Sequence, residues 1–190
     1  MKKTLFGLII IQFALFNFQS ACAQKTTLTL SIDGMADGMK AVLGKVEGDK
    51  LVPVDTLQSD NQSFRLDIKE PTLYILNAGG ALCHFMMEPG DKVQAGLVYV
   101  ADPSSHAQFR VASAKGSKNM EVYRQFNDII LGATTPTTQA LVPGQLDQLL
   151  RNNNDVLISA FLVTYFEQQF EQYATLYMAV RDGLIKKYPT

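Results

Sequence analysis

The stretch from Pro71 to Val100, PTLYILNAGGALCHFMMEPGDKVQAGLVYV, constrains this chain more than any other. Two clusters of turn residues, Asn77-Ala78-Gly79-Gly80 and Glu88-Pro89-Gly90-Asp91, cut it into segments too short for helices, so each segment is predicted to be a β-strand. The middle segment, Leu82 to Met87, carries apolar residues at successive positions and therefore on both faces. That pattern predicts the most buried strand of a sheet, with the segments before and after it packed around it.

The flanking sequence extends the β reading. From Thr26 to Asp33, Leu28, Leu30 and Ile32 alternate with Thr27, Thr29 and Ser31, the pattern of a half-buried strand. Asp33-Gly34 and Asp37-Gly38 mark a turn; they lack the further oxygen ligands and closing glutamate of a calcium loop. Lys40 to Val46 and Leu51 to Leu57 flank Gly48-Asp49 as a hairpin, and Phe64, Leu66 and Ile68 alternate with Ser63, Arg65 and Asp67. Beyond the loop Ala101 to Ser105, a last strand is expected from His106 to Ala112. The turns are too short for crossover helices, so the sheet is expected to be antiparallel. The fold class is α+β: an antiparallel β-sandwich or curled barrel of about eight strands followed by a C-terminal helical segment.

Past Ala112 the periodicity changes. Ser117 stands where a helix N-cap belongs, ahead of Val122, Phe126, Ile129 and Ile130 at helical spacing, and Gly132 should end that helix. Thr134 to Gln139 reads as a polar connector, Pro143 as the opening of a short helix through Leu150, and Asn152 to Asn154 as a break. From Asp155 to Lys187, apolar residues step by three or four from Val156 to Leu184, predicting one long helix or two broken near Glu167 to Gln169. The aromatic series Phe161, Tyr165, Phe170, Tyr173, Tyr177 and Tyr188 is expected to be helix-packing core. An apolar stripe of this length exceeds what so small a domain covers, which points to a homodimer or to docking through the C-terminal helices.

Met1 to Ala23 has Lys2 and Lys3, an apolar run from Leu5 to Phe18, and Ala21-Cys22-Ala23, the order of a secretory signal peptide cut after Ala23. The expected organisation is therefore a signal peptide over 1–23, an antiparallel β domain over 24–113 and a helical connector or hairpin over 114–190. The run is short for a membrane span and is interrupted by Gln12 and Asn17. A lipoprotein reading would keep Cys22 as the lipidated residue and is the only route by which a membrane enters, but Gln19 stands where such signals usually have leucine. The protein is expected in the periplasm or cell envelope. Losing Lys2 and Lys3 takes the 17 basic side chains to 15 against 18 acidic ones, so no field gathers nucleic acid. Cleavage also leaves Cys83 as the sole cysteine, excluding an intrachain disulfide.

No catalytic constellation is legible. Cys83 and His84 point to opposite faces of a strand and cannot share a metal, and pairing His84 with His106 has no ligand spacing behind it. Asp102, Ser104, Ser105 and His106 have the residue types of a hydrolase triad but sit in one loop without a nucleophile-elbow glycine pattern. Gly116-Ser117-Lys118 lacks the first glycine of a phosphate-binding loop. No cofactor or metal is expected. Tyr74, Phe85 and Tyr99 are candidates either for a ligand pocket or for packing.

Several segments carry a family resemblance: Leu28 to Gly34, Asp55-Thr56-Leu57 with Ser63 to Leu66, Tyr74-Ile75-Leu76, Phe85 to Asp91, and Lys115-Gly116-Ser117-Lys118-Asn119 leading into a helix. In order and spacing they resemble the DUF4369 domain, the N-terminal β-rich module of exported thioredoxin-like proteins of the Bacteroidetes. The resemblance covers roughly Thr26 to Asp128. It implies an accessory module whose partner is another protein or a C-terminal thioredoxin-like domain bearing Cys-x-x-Cys. The leading expectation is a non-catalytic exported binding or positioning module. The alternative is the N-terminal part of a periplasmic thiol-disulfide oxidoreductase whose catalytic half lies outside this chain.

Overall fold

The computed structural model describes residues 25–57, 61–101 and 107–189. The signal-peptide segment, Cys22, and the loop residues Asp102, Ser104, Ser105 and His106 lie outside the described residues. The described chain forms two compact units that meet in sequence at Arg124 and Gln125.

The β unit contains eight strands: β1 (Thr26–Asp33), β2 (Ala41–Glu47), β3 (Lys50–Thr56), β4 (Asn61–Leu66), β5 (Thr72–Ala78), β6 (Ala81–Met87), β7 (Lys92–Val100) and β8 (Gln108–Lys115). They form two open four-stranded sheets, β4-β1-β7-β8 and β3-β2-β5-β6. Alternation decides which side chains turn inward. Leu28, Leu30 and Ile32 of β1, Leu76 of β5 and Val93, Ala95 and Leu97 of β7 are all buried, while the residues between them face outward. Each large apolar side chain fully buried this way contributes roughly 1.5–3 kcal/mol, the term that holds a domain without disulfides together.

The expectation of a wholly antiparallel sheet is corrected by β1 and β7, which pair in parallel from Thr27 opposite Lys92 to Asp33 opposite Val98. The turns are indeed short, but only β2-β3, β5-β6 and β7-β8 are hairpins within a sheet. Other turns, including Glu88 to Asp91, carry the chain from one sheet to the other. A short turn reverses direction without requiring its two strands to pair, so strands distant in sequence end up adjacent and parallel without a crossover helix.

The same topology corrects the position of Leu82 to Met87. It forms β6, an edge strand rather than a central one, and Leu82 remains 45% exposed. Ala81, Cys83, Phe85 and Met87 enter the core from one face, and Met86 is buried from the other. Apolar residues on both faces thus mark a strand covered on two sides, which an edge strand under a helix satisfies as well as a central strand.

Helix α1 (Lys118–Gly132) follows β8 and continues past the boundary between the units. It starts and ends where the sequence reading puts it. Ser117 stands at the cap position and its carbonyl accepts from the Glu121 amide at 3.2 Å. Its hydroxyl, however, is buried and completes no capping bond.

The helical unit holds the rest of α1, then α2 (Pro136–Asn152), α3 (Ile158–Leu162), a 3-10 helix (Val163–Gln169) and α4 (Phe170–Lys187). Here the connector expected over Thr134 to Gln139 is instead the start of α2. Thr135 and Thr138 form a capping box, with the Thr138 amide donating to Thr135 Oγ1 at 3.2 Å and the Thr135 amide donating to Thr138 Oγ1 at 3.0 Å. Pro136 occupies the first turn, where its missing amide costs nothing, and Pro143 lies inside the helix rather than opening it. The break in the last helical stretch falls at the 3-10 segment, with Gln169 off helical geometry at φ −116°. Phe126, Tyr165, Phe166, Tyr173, Phe170 and Tyr177 make edge-on or tilted ring contacts along this unit.

Candidate functional site

The three aromatic candidates occupy the core. Tyr74 is 3%, Phe85 0% and Tyr99 8% exposed, and the Tyr99 ring meets Phe109 edge-on at 5.7 Å. They pack against neighbours and line none of the depressions over Gly96, beside Gly183 or beside Gly132.

A second candidate lies at β6. Cys83 and His84 point to opposite faces, as alternation requires, yet the Tyr123 hydroxyl from α1 interacts with both. It is hydrogen-bonded to His84 Nδ1 at 3.2 Å, with the rings edge-on at 5.9 Å. An edge strand leaves one flank open, so a residue of the following helix can reach both faces. Tyr123 carried no sequence signal beyond its place on the helix face. Burial pushes the Cys83 thiol far above its usual range, against the smaller opposing effects of the His84 backbone and the Tyr123 hydroxyl. Burial likewise pushes the Tyr123 phenol up and lowers His84 to about 4, so all three groups are neutral near pH 7. This is the environment of an inert thiol rather than of an activated nucleophile.

A third cluster joins the turn Glu88 to Asp91 to the start of α1. Asn119 Nδ2 donates to Glu88 Oε1 at 2.8 Å, the Glu88 amide to Asp91 Oδ2 at 2.9 Å, and the Gly90 amide to Thr26 Oγ1 at 2.9 Å. The Ser117 hydroxyl stands beside the Asp91 carboxyl and interacts with it, but without the geometry of a full hydrogen bond. Partial burial raises Asp91, partly offset by the Glu88 amide. Gly116, at φ +82°, passes so close to β7 that an added Cβ would lie 2.0 Å from the Lys92 carbonyl oxygen. The cluster fastens the start of α1 to the turn between the sheets.

The accessible site is the outer face of the β4-β1-β7-β8 sheet. Strand register sets out its rows: Arg65, Thr27 and Lys92, then Ser63, Thr29, Gln94 and Lys115. Asn61, Ser31, Gly96 and Ser113 come next, followed by Asp33, Val98 and Arg110. Thr29 Oγ1 and Ser63 Oγ are hydrogen-bonded across strands at 3.0 Å. At Gly96 no side chain rises from β7, and a Cβ there would lie 2.7 Å from Ser113 Oγ. The result is a depression of about 380 Å³ over Ser31, Asn61, Gln94, Gly96 and Ser113, with Lys115 at its rim. Arg65, Lys92, Arg110 and Lys115 are exposed, and none is ion-paired to a carboxylate among the described residues. The alternation of β1 and β4 had marked these polar residues as solvent-facing, but only the register gathers them.

Among the described residues, no group of three or more His, Cys, Asp or Glu side chains could hold a metal ion, and no helix is long and apolar enough to cross a membrane. Comparison of the chain with protein-family models, with curated proteins and with solved structures finds no match.

Proposed function

We propose that this chain is an exported, non-catalytic binding or positioning module. The observation that carries this reading is the polar outer face of the β4-β1-β7-β8 sheet, exposed side chains held on a packed core with four cations and one carboxylate, Asp33, in register. Rigid strands present such groups without an ordering cost, which suits recognition. Cys83 supports the same reading, because a fully buried thiol with a raised pKa is a poor participant in disulfide exchange.

Export rests on the charged, apolar and small-residue order of Met1 to Ala23. The accessory role beside a thioredoxin-like protein rests on the DUF4369 resemblance, whose two most specific segments, Phe85 to Asp91 and Lys115 to Asn119, interlock through Asn119 and Glu88.

The test is thiol reactivity. With the folded protein, an aromatic disulfide reagent should leave Cys83 unmodified for as long as the β unit stays folded, and denaturant should release one thiol. Disulfide reduction of a protein substrate by this chain, abolished by Cys83→Ser, would overturn the proposal. The intact mass of the protein from its native source tests export and the alternative together. A mass starting at Gln24 supports cleavage after Ala23, and a much larger one supports a catalytic domain beyond these residues.

A further inference from the structure

We infer that the outer face of the β4-β1-β7-β8 sheet binds an acidic polysaccharide, with one sugar ring seated in the depression over Gly96. This deepens the binding-module reading and rests on it. The chain carries 18 acidic against 17 basic side chains, so a face with four cations and one carboxylate is a local reversal of its overall charge. Such a patch raises the local concentration of anions, and an arginine such as Arg110 can hold a carboxylate or sulfate through two parallel hydrogen bonds.

The chemistry between the cations distinguishes a glycan from an acidic protein. The depression is lined by hydroxyls and amides, Ser31, Ser113, Asn61 and Gln94, which donate and accept as sugar hydroxyls do. No large apolar side chain lines it, and Ala95 turns inward to the core, whereas the centre of a protein interface is built on aromatic or large apolar anchors. At about 380 Å³ it lies at the small end of ligand sites. The rows above and below continue in register between β1 and β7 and resume between β7 and β8 beyond the irregularity at Gly96 and Leu97, so a linear chain can continue along the strands past the seated ring.

The experiment uses the full chain, with calorimetric titration at low salt against polygalacturonate and dextran sulfate, and with neutral dextran and polyglutamate as comparators. The expected result is binding to one or both acidic glycans, weakening as salt rises. Arg110→Glu and Lys115→Glu should each weaken it about tenfold, equivalent to about 1.4 kcal/mol. Lys50→Glu, exposed at the far hairpin, should leave it unchanged. Gly96→Ala, which narrows the depression without altering charge, should also weaken binding, separating a seated ring from diffuse attraction. Binding to neither acidic glycan, equal binding of polyglutamate, or indifference to both charge reversals in variants with native circular dichroism would overturn the inference. Such a failure leaves the module reading intact, since that reading is tested separately, by thiol exchange through Cys83 and by intact mass.

Discussion

Gly116→Ala is the substitution whose cost can be worked out most fully from the structure. At φ +82° an alanine occupies the left-handed region at about 1–2 kcal/mol. Its Cβ would also stand 2.0 Å from the Lys92 carbonyl oxygen and 2.8 Å from the carbonyl carbon, against an ordinary contact of 3.4 Å or more. Both atoms are backbone at the start of β7, so no side chain can swing aside. The start of α1 must move off the Glu88 to Asp91 turn, breaking the bond from Asn119 to Glu88, a hydrogen bond to a charged group whose loss costs about 1.5–3 kcal/mol. The sum is about 2.5–5 kcal/mol, a large part of the stability of a domain this size. Gly80→Ala is the control: at φ +90° it bears the same backbone strain, but its Cβ meets nothing within 4 Å. Urea unfolding followed by the β-sheet band of circular dichroism measures both variants. Gly116→Ala should lose about 1.5–3 kcal/mol more than Gly80→Ala. Equal losses would refute the claim that this contact ties helix to turn.

Three further outcomes are expected. His84 has its folded pKa lowered from 6.5 to about 4 by burial, so the unfolded chain binds its proton first. Stability should fall as pH drops below about 6.5 and level off below about 4, by about 3 kcal/mol or slightly more in all, and urea midpoints of His84→Gln should lack this dependence. Thr135→Ala removes one side of the capping box at α2 and should cost the helical unit about 1 kcal/mol in thermal or urea unfolding; an unchanged midpoint contradicts that role. Phe85→Ala empties a fully buried site in the β core and should cost about 3–5 kcal/mol, while a loss below about 1 kcal/mol would mean the ring is not packed as described.

Local pattern located most elements because alternation and helical spacing are properties of short segments. The strand from Thr26 to Asp33 and the helix ending at Gly132 coincide with β1 and the end of α1. Reading failed where two local signals competed. Thr134 to Gln139 is polar and holds a proline, which describes a connector and a capped helix start equally well, and the capping box decides for the helix. In the candidate site, Lys115 and Gln94 are well separated in sequence and Ser31 stands farther off still, so nothing in their spacing announces a shared surface.

By itself the amino-acid order determined most of the segments that become strands or helices, that Cys83 turns away from His84, and that the β region must stand on its core without a disulfide. Those follow from periodicity and composition, which need no knowledge of neighbours. Only the tertiary structure decided that β1 lies parallel to β7, that the most apolar strand sits at an edge, and that Tyr123 bridges Cys83 and His84. The same holds for the four cations sharing one exposed face. Each depends on pairing between residues far apart in the chain, which is set by how two sheets share one core rather than by any local preference.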